Sequence, residues 1–238
     1  KGKKGESVQF KQPRVLARRV GADTAIEGLR SLRTTPKFAS IKTKNNVVAI
    51  TSATPKLGKT FVTVNLAFLL ADIGKRVLLM DGDLRHGDVH RYIGLSRSPG
   101  LSDVIAGRCK LEQAIHALEG DRVQLISTGT LPPNPSELLV DEGFREIIDI
   151  ASQRFDVIVI DTPPILNLAD GIIIARRAST NFLVVRSGYS TLNDVEISVR
   201  RLQQNDVKLS GVIFNDLKVG ATKYGYYAYQ YKPSKAKA

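Results

Sequence analysis

Cysteine occurs once in the 238 residues, at Cys109, so no disulfide framework can hold this chain together. No Cys/His cluster is present either, which excludes a structural zinc site. A reducing compartment is the expected setting. No apolar run approaches the ~20 residues that a membrane-spanning helix needs, and no signal peptide or internal repeat is visible. The chain opens on Lys1 rather than Met, so we expect a piece of a longer polypeptide, with room for a membrane anchor upstream.

Acid is scarce at both ends. The net charge is +12, but residues 1–20 carry seven Lys/Arg against one acid and residues 217–238 carry five Lys and none. Residues 21–216 hold 23 basic and 22 acidic groups and are close to neutral. Basic tails suit a juxtamembrane or anionic surface better than a DNA groove, so no nucleic-acid partner is expected. Solvated tails without a partner stay open as the plainer reading. Between the ends, 42% hydrophobic residues and both charge signs fit a globular protein large enough to bury a full core.

Residues 1–20 read as an arm. Ala22–Thr34 reads as a helix with Asp23 as N-cap and Ile26, Leu29 and Leu32 as its apolar stripe. Glu27, Arg30 and Arg33 follow at three-residue steps, close to one face. From Val47 the pattern becomes strands alternating with helices. Strands are expected at Val47–Thr51, Arg76–Met80, Val123–Ser127, Phe155–Ile160, Asn181–Arg186 and Val207–Phe214. Helices are expected after the first strand through Leu70, then at Leu101–Ala106, Leu111–Leu118, Glu137–Ser152 and Leu192–Gln204. Short Val/Ile/Leu runs joined by helices predict one α/β domain over residues 21–216, a mostly parallel sheet covered on both faces. The polar, basic tail from 217 is expected to be mobile. It holds Tyr224, Tyr226, Tyr227, Tyr229 and Tyr231, five of the chain's seven tyrosines.

Ala53-Thr54-Pro55-Lys56-Leu57-Gly58-Lys59-Thr60 lies between a predicted strand and a predicted helix, the context of a P-loop. Its backbone N–H groups and the helix N-terminus form an anion site. Gly58 permits close approach, Lys59 reaches the β- and γ-phosphates, and the Thr60 hydroxyl suits Mg²⁺; Phe61 completes the candidate nucleotide-binding run. Ala53 departs from the usual Gly. Two buried strands end in acid, at Asp81-Gly82-Asp83-Leu84-Arg85 and at Asp161-Thr162-Pro163-Pro164. In an open parallel sheet ligands bind at these strand ends. Three acids near a triphosphate call for a hard cation, and ATP with Mg²⁺ is the expected pair.

These three motifs resemble the Walker A, Walker A′ and Walker B motifs of the bacterial protein-tyrosine kinases, the cytoplasmic module of Wzc-type polysaccharide copolymerases. Pro99-Gly100-Leu101-Ser102-Asp103 and Pro132-Pro133-Asn134-Pro135-Ser136-Glu137-Leu138-Leu139 are similar to family sequences too. The resemblance runs from about Ala22 to the tail and implies a P-loop NTPase-like fold of the deviant-Walker, MinD/ParA type. The runner-up is a MinD/ParA-like ATPase switch on a membrane or DNA surface. Such switches carry an early signature lysine where this chain has Thr54, and they lack a tyrosine-rich tail; Lys56 lies two places later and is not that lysine.

The resemblance further implies an autophosphorylating kinase at the cytoplasmic face of the inner membrane, acting in polysaccharide polymerisation or export. Its phosphoacceptors would be Tyr224–Tyr231, with one tail entering a neighbour's site. Glu27, Arg30 and Arg33 match a Glu-x-x-Arg-x-x-Arg ring-forming motif. Asn215 corresponds to an adenine-reading position, and Arg186 is a second base-pocket candidate. Thr60 is assigned as direct metal ligand, Asp83 and Asp161 as ligands directly or through water, and Asp81 as general base. Asp81 and Asp83 could exchange roles. An upstream membrane segment or separate membrane activator, and a tyrosine phosphatase, are the implied partners.

Overall fold

Six of the seven strands are short runs of β-branched and aliphatic residues, and their order sets the site. The structure is a computed structural model that describes residues 15–18, 24–34, 45–118 and 122–217. The basic arm through residue 14, the Asp23 cap and the tail tyrosines lie outside the described residues.

A 3-10 turn at Leu16–Arg18 precedes helix α1 (Thr24–Arg33), strand β1 (Val47–Ser52), α2 (Lys59–Asp72) and β2 (Val77–Asp81). Then come α3 (Val89–Ile93), α4 (Leu101–Ile105), α5 (Leu111–Ala114), β3 (Ile115–Ala117), β4 (Val123–Ile126), α6 (Pro135–Val140) and α7 (Glu142–Arg154). The chain continues through β5 (Val157–Asp161), α8 (Asp170–Arg177), β6 (Thr180–Arg186), α9 (Leu192–Gln204) and β7 (Gly211–Asn215).

The strands form one sheet in the order β3-β4-β2-β5-β1-β6-β7, parallel except for the antiparallel edge pair β3 and β4. Successive residues face opposite sides of a strand. Val77, Leu79, Val157 and Val159 accordingly pack under α2, while Leu78, Met80, Ile158 and Ile160 pack under α4, α6, α7 and α8. Both faces are covered, which is why these strands read as unbroken apolar runs. Helix α2 is buried almost all round because it lies between the sheet and α1. Its Asn65 fastens the N-terminal 3-10 turn, accepting the Ala17 N–H at 2.9 Å.

The expected fold class holds, with local corrections. Leu111–Leu118 is not one helix: the backbone extends at Ile115 and pairs with β4. The expected helix over Glu137–Ser152 is two, α6 and α7, separated at Asp141, whose carboxylate caps α7 by accepting the Gly143 N–H at 2.8 Å. Neither Ser136 nor Asn134 caps α6 by a side-chain hydrogen bond; Pro135 begins that helix, where no N–H is needed. The last strand starts at Gly211 rather than Val207, which turns into the core under α9. Helices α3 and α8 were not anticipated.

Register fixes the site. Asp81 and Asp161, the last residues of β2 and β5, are direct partners across the sheet. Asp161 also pairs with Ile50 of β1, just before the P-loop. From β1 the chain runs to one side of the sheet and from β5 to the other, so the loop opens at a topological switch point.

Candidate active site

Gly58 holds φ at +93° as the residue before α2. A Cβ added there would overlap the Asn215 side-chain nitrogen as well as strain the backbone. Gly58→Ala is therefore expected to weaken nucleotide binding by about tenfold or more, as measured by titration with a fluorescent ATP analogue. Lys59, first in α2, is 8% exposed although cationic. Next in the helix, Thr60 donates from Oγ1 to Asp161 Oδ2 at 2.6 Å. Thr63, one turn on, shares its hydroxyl proton between the Lys59 carbonyl at 2.9 Å and Asp161 Oδ1 at 3.2 Å. Asp161 is thus gripped by two hydroxyls of one helix face. The Phe61 ring packs on the α1–α2 core, and Lys56 is exposed with φ +65°.

Burial pushes the Asp161 carboxyl up to about 6, against the pull of Lys59 and of the Thr60 hydroxyl. Asp81 is held well above the usual carboxylate range, first by burial and then by Asp161 beside it. Its Oδ2 accepts the Val89 N–H at 3.1 Å and its Oδ1 the Asp83 N–H at 3.3 Å. Asp83 is half-buried, and its Oδ1 accepts the backbone N–H groups of Arg85 and His86 at 3.1 and 2.9 Å. Among the described residues no hydrogen bond reaches Asp83 Oδ2.

Among the described residues no three His, Cys, Asp or Glu side chains close on one point as a ready-made metal cage. What is present is hard oxygen: the Thr60 hydroxyl, Asp161 and, across the register, Asp81 and Asp83. Buried carboxylates such as Asp81 and Asp161, whose proton affinity is raised, suit a small divalent cation held together with phosphate oxygens, rather than by the protein alone.

On the other side of the P-loop, Asn215 Nδ2 donates to the Leu57 carbonyl at 3.0 Å, and Arg186 donates to the Lys56 carbonyl at 3.2 Å. Arg186 is also paired with Asp216 at 3.0 Å, and its guanidinium lies 4.1 Å from the centre of the Tyr189 ring. The two residues expected in the base pocket thus stand beside the loop and brace it. Glu27 and Arg30 form an exposed ion pair on α1. Arg33 turns inward and donates to the Leu69 carbonyl of α2 at 3.0 Å, so the three motif residues do not share one free face.

Reading the sequence did not find Thr63, although it lies three residues after Thr60 and faces the same way. It also missed an ion pair between Arg85 and Asp170, which are remote in sequence.

A P-loop at the switch point of a parallel sheet, with paired acids at the adjacent strand ends, defines a P-loop nucleotide-binding domain of the NTPase type. The family described as AAA domain matches residues 45–210. The chain is 43% identical to the tyrosine-protein kinase Wzc of Salmonella typhimurium over 227 residues, which is 94% of this chain and 32% of that protein. It therefore spans about a third of the length of the curated relatives it matches. The BceF tyrosine kinase domain is similar in structure, with a TM-score of 0.79 and 43% identity over 86% of this chain and 82% of that one. The MinD protein of Pyrococcus horikoshii complexed with Mg-ADP is more distant, with a TM-score of 0.61, 27% identity, and 71% and 69% coverage. The chain belongs to the bacterial tyrosine-kinase domains, so the kinase reading is favoured over the MinD/ParA-type switch.

Proposed function

We propose that this chain is the ATP-dependent module of an autophosphorylating protein-tyrosine kinase that regulates the polymerisation and export of exopolysaccharide or capsule. The observation that carries the proposal is the convergence of Thr60 and Thr63, on the helix that begins with the buried Lys59, on Asp161, directly across the register from Asp81. A buried lysine and hydroxyls beside paired carboxylates support a reading in which this point binds an anion and accepts a proton. The tyrosine-kinase relatives supply the acceptor class.

In the proposed reaction a tail phenol oxygen attacks the γ-phosphorus while the bond to the β,γ-bridging oxygen breaks and ADP leaves. The phenolic proton passes to Asp81, whose raised proton affinity suits a base acting on a group of pKa ~10. Lys59 and the loop N–H groups stabilise charge on the transferred group. Thr60, Asp83 and Asp161 would hold Mg²⁺, which when bound supplies positive charge against the phosphate oxygens. Asn215 and Arg186 keep the loop in shape beside the base. To test the reading, the protein is incubated with γ-labelled ATP and Mg²⁺ and the label is mapped by peptide. Label on Tyr224–Tyr231 supports the kinase, free phosphate alone supports an ATPase switch, and neither product leaves a nucleotide-stabilised scaffold.

Self-association through Glu27, Arg30 and Arg33 belongs to the same proposal, with tails exchanged between neighbours. Each phosphotyrosine adds roughly −1.5 to −2 charge, enough in number to reverse the sign of the basic tail. Unphosphorylated protein with a non-hydrolysable ATP analogue and Mg²⁺ is expected to sediment as a larger assembly than phosphorylated protein under the same conditions. Equal sedimentation would remove the charge switch from the proposal. A membrane segment or activator, and a phosphatase to reset the tail, complete the proposed partners. No described helix is long and apolar enough to cross a membrane.

A further inference from the structure

Asp170, at the N-terminus of α8, is a fully buried acidic residue. Its partner is Arg85, which donates from Nε to Asp170 Oδ2 at 2.7 Å. Ser136, at the start of α6, donates to the same carboxylate and accepts from Arg85 at 3.2 Å. One buried acid therefore joins three segments: the loop after β2, helix α6 and helix α8.

The position of this knot decides what it can do. Arg85 lies two residues beyond Asp83, and its own backbone N–H donates to Asp83 Oδ1. Helix α8 abuts the loop that follows Asp161, since a Cβ added at Gly171 would come within 2.5 Å of the Pro163 carbonyl oxygen. The knot thus cross-braces the loop that carries Asp83 and the loop that follows Asp161.

We propose that Arg85 is a positioning residue for the metal-bound nucleotide: anchored on Asp170 and Ser136, it holds the turn at residues 83–86 so that the Asp83 carboxylate is presented toward the P-loop. The inference rests on the reading that a divalent cation accompanies ATP. Groups that orient metal ligands affect metal affinity strongly, typically by about 10- to 100-fold. A brace that served only the fold would lower stability without separating metal-dependent from metal-independent binding.

The test is the affinity of a fluorescent ATP analogue measured twice, with Mg²⁺ and with EDTA, so it does not depend on turnover. Arg85→Gln alone leaves Asp170 as an unpaired buried charge and risks the fold. Arg85→Gln with Asp170→Asn replaces the ion pair by two amides and is measured beside it, with thermal unfolding of the nucleotide-free protein as the control. Expected is a loss of about tenfold in the tightening that Mg²⁺ confers, with EDTA affinity changed less than about twofold, and partial recovery in Arg85→Lys. Equal loss under both conditions, or a Mg²⁺ effect as large as in the wild type, overturns the role of Arg85. A wild-type protein that binds equally well in Mg²⁺ and EDTA overturns the metal reading and this inference with it.

Discussion

Lys59→Met is expected to cut label transfer from ATP to Tyr224–Tyr231 by at least 10²- to 10³-fold, the usual cost of removing one preorganised charge from a transition state. The lysine is buried at the mouth of the P-loop and acts on Asp161. Removing it leaves two uncompensated anionic partners in one place: the transferred phosphoryl group and the Asp161 carboxylate. Methionine is close to lysine in volume, so the fold is expected to survive, as circular dichroism would check. Single-turnover measurement at saturating ATP separates the chemical step from binding. Retention of a tenth or more of wild-type transfer would argue that Lys59 is not aimed at the reacting phosphate.

Asp161→Asn is expected to separate activity from stability. Activity falls by a comparable factor, because the proposed cation loses a ligand. The nucleotide-free protein becomes more stable at neutral pH, by on the order of 5 °C in Tm, because a charge raised by desolvation has been removed. Asparagine fits the hydroxyls: one Thr can donate to its oxygen while the other turns and accepts from its nitrogen. The pH dependence has a definite sign. Asp161 rises from an ordinary value of 3.8 to about 6 on folding, so between these pH values the folded state holds more protons than the unfolded chain. Its contribution therefore costs stability progressively as pH rises through that window. Asp81 acts in the same direction. Thermal melts from pH 4 to 8 should show a shallower decline in Asp161→Asn than in the wild type. Identical profiles, or a less stable variant at pH 7.5, would contradict the assigned cost of burying this carboxylate.

The core of the site was legible because it is local. A strand, a glycine-containing loop and a helix in sequence form the P-loop, and Asp81 and Asp161 each end a run of apolar residues buried on both sides. What escaped reading lies across the sheet. Arg85 and Asp170 meet only because the loop after β2 and the start of α8 converge beside β5. The strand β3 has three residues, too few to show alternation, and its pairing depends on β4. The break at Asp141 is a capping choice inside an otherwise helical pattern. Arg186 and Asn215 were placed near the nucleotide by resemblance, but no local signal shows that they donate to the P-loop carbonyls.

That last contact orders the birth of the site. The P-loop is made early in the chain, yet its Leu57 carbonyl waits for Asn215, 158 residues later. Strands β1 and β2 are not neighbours, and the gap between them stays open until β5 fills it. A growing chain can therefore display the whole nucleotide motif and still lack the sheet and the brace that shape it. The pocket matures only when β7 has been made, the strand from which the tyrosine-bearing tail departs. Enzyme and proposed substrate are thus completed at nearly the same moment of synthesis, with little interval for a finished site to act before its own tail arrives.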